Sequence, residues 1–485
     1  MAFQILSIAS QALAAQELAL EVTGNNMANA TTPGYAVESV DLTENAPAAE
    51  ANMPSTLVGN GVTVTAITRA TNAFLSAAVN NQTSAVAYAT ALAQGLSQVQ
   101  NIFEEPQSGG LAEMMNQFNQ SWLTLSENPE SLSARESVIQ DGQTLASTLN
   151  GMASQLTTEE GNVNQNIVSQ VQQVNQYAQQ IAQLNQEIAN VAGSGQPPND
   201  LLDQRDQLLT QLSKLTNIQY SNGPADSLDV YIGAHPLVTG VQTYQIVLNR
   251  VGVPNSSTGT DTFTAEQPVW ADNGAPVQLQ SGSLAGNIAL LYQQTISGST
   301  AGPITAGYLT GYGQSLDALT NAIVSLVNSY QESGYNLSGA SASSTPFFTP
   351  SGTTAGSISV NPSLTPDGLG AAATANNPGD GTNAQNLFNA LTSGKMTIGT
   401  STTTLSGYYQ ALVGLVGLDG QNANNLESDG QSTLTSLTND LQSATGVDLN
   451  QQAVDMIQQE QSYEAAAKLI GTQQAVVQSL LAAVS

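Results

Sequence analysis

Large apolar residues recur every seven positions at both ends of the chain. A sustained seven-residue step is typical of the seam of a coiled coil and predicts a helix at each end. The positions between are often Ala, Ser or Gln, so each helix alone has a thin apolar face. Because isolated helices are marginal in water, we expect these two to pack against each other and against neighbouring copies. The N-terminal row is Leu6, Leu13, Leu20 and Met27, whose leucines are expected to face Tyr463, Ile470 and Val477 of the C-terminal row Met456, Tyr463, Ile470, Val477 and Val484.

A longer apolar pattern occupies the centre of the chain. Two seven-residue rows, offset by three positions, run over about three heptads and predict a long helix packed against other helices. Gly and Pro break the pattern at 193–198, and similar spacing predicts further helices over 201–215 and 309–330. The first row is Ile167, Val174, Ile181 and Ile188, and the second is Gln170, Tyr177, Leu184 and Val191.

Two stretches depart from helical spacing. Between 218 and 279, the β-branched and aromatic runs Leu228–Ile232 and Tyr244–Leu248 lie among Gly, Pro and Asn, which predicts short strands. Residues 338–404 are rich in Ser, Thr, Gly, Asn and Pro. This composition predicts loops with a few strands, such as Ser357–Val360.

The order of these patterns indicates the α+β class, mainly α. Long coiled-coil-like helices are expected from both chain ends and from the centre, with a small inserted β domain. Since the two ends are expected to lie together, the domains are nested and not consecutive. The predicted units are a terminal helical polymerisation domain with an extended segment (1–70 and 445–485), a helical bundle (71–215, 283–337 and 405–444), an inserted β domain (216–282) and a loop-rich segment with short strands (338–404).

Charge and composition exclude several classes of function. The 485 residues include 7 Lys and Arg against 36 Asp and Glu, a formal charge of −29, which argues against a nucleic-acid partner. There is no Cys, and His235 is the single His, so thiolate chemistry and multi-His metal sites are excluded. We find no catalytic constellation and expect no cofactor and no bound metal. No stretch approaches the roughly 18 apolar residues of a membrane helix, so no membrane insertion is expected.

The clearest local motif follows the N-terminal row. In Asn25–Tyr35, Asn resists helix propagation, Thr32 before Pro33 favours extended backbone, and Pro33-Gly34 favours a turn, so a helix ends here. The run, together with Ile67-Thr68-Arg69, resembles the N-terminal motif of flagellar axial proteins, the rod, hook and hook-associated proteins. The motif residues are Asn26, Asn29, Thr32, Pro33, Gly34 and Tyr35.

A second motif indicates which axial family is closest. Residues 201–208 read LLDQRDQL, and this run resembles the signature of the hook-associated protein 1 family, which forms the first hook–filament junction. Its polar members are Asp203, Gln204, Arg205 and Asp206. Arg205 among carboxylates could form a local salt bridge of about 0–1 kcal/mol if exposed. We favour a contact that positions domains, because no nucleophile accompanies the cluster.

The resemblance implies a secreted, structural, non-enzymatic subunit of the extracellular flagellum. Copies would pack in a helical ring, with the hook protein and the second junction protein as neighbours. Export would use the flagellar type III apparatus, with a cytoplasmic chaperone covering the C-terminal helix. From the thin apolar faces, we expect residues up to about Thr32 and from about Val447 to be disordered in the free monomer.

Two alternatives remain at this stage. The nearer is another axial protein, such as the hook protein or the second junction protein. The more distant is a surface adhesin that uses the β insert, for which Trp270, Tyr231 and Tyr244 would supply aromatic rings to a glycan.

Overall fold

The computed structural model describes residues 2–50, 53–103, 109–254, 262–297 and 300–484. The α+β, mainly α class is confirmed: long helices carry several small sheets. The helices are α1 (Ala2–Asn29), α2 (Ala73–Ile102), α3 (Leu111–Glu127), α4 (Leu132–Gly193), α5 (Asn199–Leu215), α6 (Ser283–Leu291), α7 (Tyr308–Ser333), α8 (Thr382–Ser393), α9 (Leu405–Thr445) and α10 (Leu449–Val484). The strands are β1 (Glu38–Glu44), β2 (Ala48–Glu50), β3 (Met53–Val58), β4 (Val62–Arg69), β5 (Gln219–Asn222), β6 (Leu228–Ile232), β7 (His235–Thr239), β8 (Gln242–Thr243), β9 (Ile246–Pro254), β10 (Thr262–Trp270), β11 (Tyr292–Ser297), β12 (Thr300–Ala306), β13 (Met396–Ile398) and β14 (Ser401–Thr403).

The first and last helices lie side by side. Hydrogen bonds join Thr23 to Gln459 and Asn26 to Gln452, so the numbering runs in opposite directions and the helices are antiparallel. We call α1 and α10 together the terminal pair. After α1, a turn leads into strand β1, which pairs antiparallel with β4. The backbone N–H of Val37 donates to the carbonyl of Thr445 at 2.9 Å, which attaches this turn to the end of α9.

A helical bundle forms the centre of the molecule. Helix α4 is a single helix of 62 residues, and the predicted row Ile167, Val174, Ile181 and Ile188 is fully buried along it. Helix α9 packs antiparallel against α2, with Gln82 bonded to Gly430 and Thr90 to Glu427.

The inserted β structure packs on α4 through asparagine side chains. Strands β5 to β8 form a four-stranded sheet in chain order, and β9 pairs with β10. Asn175 bonds both backbone groups of Ile246, and Asn185 bonds both backbone groups of Leu228. A side-chain amide offers one donor and one acceptor group, so it can replace a missing strand partner. The predicted strands over 228–232 and near 244–248 are present, the second beginning at Ile246.

The segment 338–404 differs from its prediction. It contains helix α8 and the hairpin β13–β14, while Ser357–Val360 forms no strand and Val360 makes one isolated bridge to Phe348. Phe347 and Phe348 are fully buried against Phe118, and Phe347 also against Trp122. The segment therefore completes the core at one end of the bundle.

Two further expectations are corrected by the structure. Strands β11 (Tyr292–Ser297) and β12 (Thr300–Ala306) pair antiparallel within the range 283–337 that was assigned to the helical bundle. Among the described residues, one helix segment, Gln4–Asn29, is long and apolar enough to cross a membrane by length and composition alone. The sequence expectation missed it because its apolar residues, many of them Ala, are interrupted by Ser, Gln and Glu, although the mean hydropathy reaches 1.2. In the structure this helix packs against α10.

Candidate functional site

Asn26 connects three parts of the chain at the end of α1. Its side chain is 1% exposed. The Nδ2 group donates to the carbonyl of Glu38 (2.8 Å) and to Oε1 of Gln452 (3.0 Å), while Oδ1 accepts from the N–H of Glu38 (2.9 Å) and the hydroxyl of Tyr35 (2.8 Å). One amide thus fixes the turn, strand β1 and helix α10 relative to α1.

Tyr35 supports this arrangement as a neutral donor. Burial, and next the carboxylates of Glu38 and Asp203, raise the pKa of Tyr35 well above its ordinary value. Its hydroxyl therefore keeps its proton and the bond to Asn26. One turn earlier, Thr32 donates its N–H to the carbonyl of Asn29 (2.8 Å) and its hydroxyl to Oδ1 of Asn29 (3.2 Å), which closes the end of the helix.

Gly34 allows the turn to approach helix α5 closely. Its φ of +81° lies in the left-handed region, and a Cβ there would stand 2.7 Å from Cγ of Gln207. Side chains are disfavoured on both counts. Gln207 in turn donates from Nε2 to the carbonyl of Pro33 at 2.6 Å. The two sequence motifs are therefore in direct contact.

The carboxylates of the second motif bind Arg69. Nη1 of Arg69 lies 2.6 Å from Oδ1 of Asp203, and Nη2 lies 2.8 Å from Oδ2 of Asp206. Asp203 also accepts the N–H of Ala36 at 3.2 Å. Burial alone would lower the pKa of Arg69, but the two carboxylates raise it, so Arg69 is charged. Burial raises the pKa of Asp203, and the Ala36 N–H and Arg69 oppose that rise.

Arg205 does not form the local salt bridge considered from the sequence. It is buried and donates from Nη1 to Oδ1 of Asn185 (3.1 Å) and to the carbonyl of Asp226 (2.7 Å). Burial lowers its pKa. Arg205 therefore joins α5 to α4 and to the β insert, while Gln204 lies exposed on the wall of an open cleft of about 1650 Å³ beside this joint.

The inner seam of the terminal pair is not the one expected. The most buried residues of α1 are Ala9, Ala15, Val22, Thr23 and Asn26, and Gln452 and Ala466 are the most buried of α10. Small and polar residues thus occupy the contact, since they allow the helices to approach closely.

The predicted rows lie on the flanks and outside. Leu13, Leu20, Met27, Met456 and Ile470 are half-buried, whereas Leu6, Tyr463 and Val477 are exposed. The side chain of Val484 lies outside the described residues. Large apolar side chains of the terminal pair are 36–67% exposed. They are Ile5, Leu6, Leu449, Val454, Ile457, Tyr463, Leu469, Val476, Val477 and Leu481. We call these ten residues the outer apolar surface.

Sequence reasoning missed three partners at the joint. Arg69 is the counterion of the second motif, Gln207 carries the contact to the first motif, and Gln452 binds Asn26. The rarity of basic residues gave a signal for Arg69, since it is one of 7 Lys and Arg in the chain. Gln207 and Gln452 gave no such signal, because Gln is common throughout α5 and α10.

Two observations bear on the alternatives of a metal site and a glycan site. No group of three or more potential metal ligands of the His, Cys, Asp and Glu types is found in the part of the chain that the structure describes. Trp270 is 2% exposed and stacks on His235, with ring centroids 4.0 Å apart. Its ring is therefore not offered to a glycan, which removes the main support for an adhesin.

Comparison with known proteins identifies relatives along the chain. The family model of the flagellar hook-associated protein FlgK helical domain matches residues 96–348, and that of the flagella basal body rod protein matches residues 6–35. Flagellar hook-associated protein 1 of Bacillus subtilis is 31% identical over 505 aligned residues, covering 99% of this chain and 98% of that protein. The Salmonella typhimurium protein of the same name is 30% identical over 351 residues, covering 69% of this chain and 58% of its own length.

A solved structure has the same fold. The flagellar hook junction protein FlgK from Burkholderia pseudomallei superposes with a TM-score of 0.60 at 18% identity, covering 76% of this chain and all of that one.

Proposed function

Because the chain belongs to the flagellar hook-associated protein 1 family, we propose that its terminal pair is the surface through which copies pack around the hook–filament junction. The protein is a structural subunit of the bacterial flagellum that joins hook to filament. Its family is structural, and the joint described above contains bonds that position helices, with no nucleophile among them. The mechanism is therefore one of packing.

The outer apolar surface carries this proposal. A two-helix unit that buries Ala, Thr, Asn and Gln between its helices leaves its largest apolar side chains facing outward. Large apolar side chains left exposed in such number on one two-helix unit favour a site of protein contact. In a ring of identical subunits, equivalent surfaces on neighbouring copies would cover the outer apolar surface of each copy. The few charges on the pair, Glu17 and Glu21 on α1 and four more on α10, keep repulsion between copies low.

Partners and location follow as further parts of the proposal. The neighbours along the tube are the hook protein and the second junction protein, and the ring is built from copies of this chain. The chain is exported through the flagellar type III apparatus to the outside of the cell. A cytoplasmic chaperone covers α10 before export, since that helix otherwise exposes eight large apolar side chains to the cytoplasm.

Nucleic acid and lipid are not among the proposed partners. The charge of −29 repels phosphate. Helix α1 has the length of a membrane span, but its Asn25 and Asn26 and its contacts with Gln452 and Gln459 suit a protein partner. We propose that α10 and neighbouring copies cover its apolar side.

Charged substitutions on the outer apolar surface test the packing mechanism. We expect Leu469→Asp with Val476→Asp to abolish filament attachment, because two carboxylates would be buried without partners between copies. Both side chains are about half exposed in the single chain, so the unfolding temperature of the bundle stays unchanged. Leu415→Asp on α9, at 48% exposure, is the matched control. Motile cells with normal filaments from the double variant would refute the mechanism.

A further inference from the structure

Polar residues occupy the buried side of α10 at a regular interval. Gln452, Gln459, Ala466 and Gln473 are spaced by seven residues, and Gln452 and Ala466 are 8% and 7% exposed. Such positions in a two-helix contact normally hold Leu, Ile or Val. Glutamine at three of four positions therefore weakens the contact, which calls for a compensating role.

Two of these glutamines bind fixed partners on α1. Gln459 accepts from the hydroxyl of Thr23 at 3.0 Å, and Gln452 accepts from Nδ2 of Asn26 at 3.0 Å. Asn26 cannot turn to another partner, because its remaining bonds to Tyr35 and Glu38 hold it against the turn. We call Thr23, Asn26, Gln452 and Gln459 the register set.

The apolar residues alone do not fix the axial position of α10 along α1. The row Met456, Tyr463, Ile470 and Val477 repeats every seven residues, so sliding α10 by one heptad replaces apolar contacts with similar ones. The register set repeats only in part, since the same slide brings Gln459 opposite Asn26 but Ala466 opposite Thr23, and Thr23 then loses its partner. A buried polar group that loses its partner destabilises the pair, so the hydrogen bonds distinguish positions that hydrophobic contact does not.

We propose that the register set fixes the axial register of the terminal pair, so that the outer apolar residues of α1 and α10 stand at matching heights for neighbouring copies. This inference rests on the packing function proposed above and adds which residues specify it. Single polar residues at buried coiled-coil positions specify register in the same physical way, at a cost in stability.

Disulfide trapping measures the register directly, because the chain contains no native Cys. Thr23 bonds Gln459, so counting along the antiparallel helices places Ala15 close to the level of Ala466, and both are buried. Ala15→Cys with Ala466→Cys therefore reports the native register. Ala15→Cys with Gln473→Cys reports a slide of one heptad. The two levels differ by about 10 Å along the helix, and a disulfide requires Cα atoms within about 7 Å. The full-length chain is oxidised after assembly on hooks, where both terminal helices are expected to be ordered.

The test variant is Gln452→Leu with Gln459→Leu. Leucine keeps the helices together, as circular dichroism checks, but removes the distinction between registers. We expect the ratio of slid to native disulfide to rise about tenfold or more, since the lost discrimination exceeds about 1.4 kcal/mol, and filament attachment to fall with it. Gln458→Leu with Gln461→Leu, at exposed positions of the same helix, is the matched control and leaves the ratio unchanged.

An unchanged ratio in the test variant would overturn the register role, and so would a slid pair that still attaches filaments normally. The packing function fails by a different result: normal attachment in the Leu469→Asp and Val476→Asp variant. The two failures are therefore distinguishable.

Discussion

Buried polar side chains hold the parts of this molecule together by bonding the backbone of another part. Asn26 binds Glu38, Asn185 binds Leu228, and Arg135 binds the carbonyls of Pro366 and Leu369. These bonds tolerate few replacements, because a buried backbone group must be paired. The motif around Asn26 was visible in the sequence as a helix end. Its partner Gln452, 426 positions away, was not, because nothing in a glutamine-rich helix distinguishes one amide from the next.

One buried carboxyl group makes stability depend on pH. Glu160 of α4 is 2% exposed, and burial, with the carboxylate of Asp317 adding to it, raises the pKa of Glu160 from 4.5 to about 7. The folded state therefore binds more protons than the unfolded state between these values, and stability falls as the pH rises through this window. At about 1.4 kcal/mol per pKa unit, the loss is about 3 kcal/mol near pH 8.

Glu160→Gln removes this dependence. We expect the variant to be more stable than the parent near pH 8 by up to about 3 kcal/mol and little changed near pH 4.5, because the amide does not ionise. Urea unfolding at the two pH values measures the difference. Glu159→Gln, at the neighbouring and more exposed position, should show no such contrast. Equal effects of Glu160→Gln at both pH values would contradict the assigned pKa.

At the scale of elements, sequence periodicity found the helices but not which side of each helix faces its partner. The row from Ile167 to Ile188 is fully buried as predicted, since α4 has other elements packed around it. In the terminal pair the row beginning at Leu6 was taken as the inner seam, whereas Ala15 and Val22 occupy it. Every row of a heptad has the same period, so the spacing cannot say which row is inside when the partners of the outer row belong to other chains.

Short elements were harder to predict for a different reason. Hairpin β11–β12 and helix α8 contain mostly Gln, Ser, Thr, Asn and Gly, whose local preferences are weak or favour turns. Both elements are fixed by contacts distant in sequence. Ser126, for example, bonds Gln385 of α8.

The ion pair of Arg69 holds the extended segment against α5. Arg69→Met leaves Asp203 buried without a counterion, and we expect a local loss of about 3 kcal/mol. Hydrogen exchange of residues 33–38 and 62–69 should accelerate by about a hundredfold, at 1.4 kcal/mol per factor of ten. Adding Asp203→Asn should restore most of the protection, since the amide oxygen still accepts from Ala36. The ion pair of Arg250 with Glu266, in which the arginine side chain is exposed, provides the control: Arg250→Met should change exchange little. Full protection in Arg69→Met would show that the pair does not hold the segment.

For the whole molecule, the arrangement implies that folding of the ends depends on assembly. The seam between α1 and α10 is small and polar, and the large apolar residues face outward. We therefore expect hydrophobic burial within one chain to be too small to offset the entropy of ordering both helices. The bundle has its own core around Phe118, Trp122 and Phe347 and does not need neighbours.

Hydrogen exchange on the free monomer checks this dependence. We expect rapid exchange up to about Thr32 and from about Val447, slow exchange in α4, and slow exchange at both ends after assembly on hooks. The decrease in exchange rate on assembly should be confined to residues at the contacts between copies. Strong protection of both ends in the free monomer would contradict it.

Helix α4 sets a mechanical condition on any such assembly. Its 62 residues form a rod about 93 Å long at 1.5 Å per residue, fastened to aromatic packing at one end and to the β insert at the other. A rod of this kind resists bending far more than a chain of short helices would. The turn beside Asn26 and Arg69 connects this rod to the terminal pair, so a load applied to the terminal pair reaches the bundle through a few buried hydrogen bonds and one ion pair.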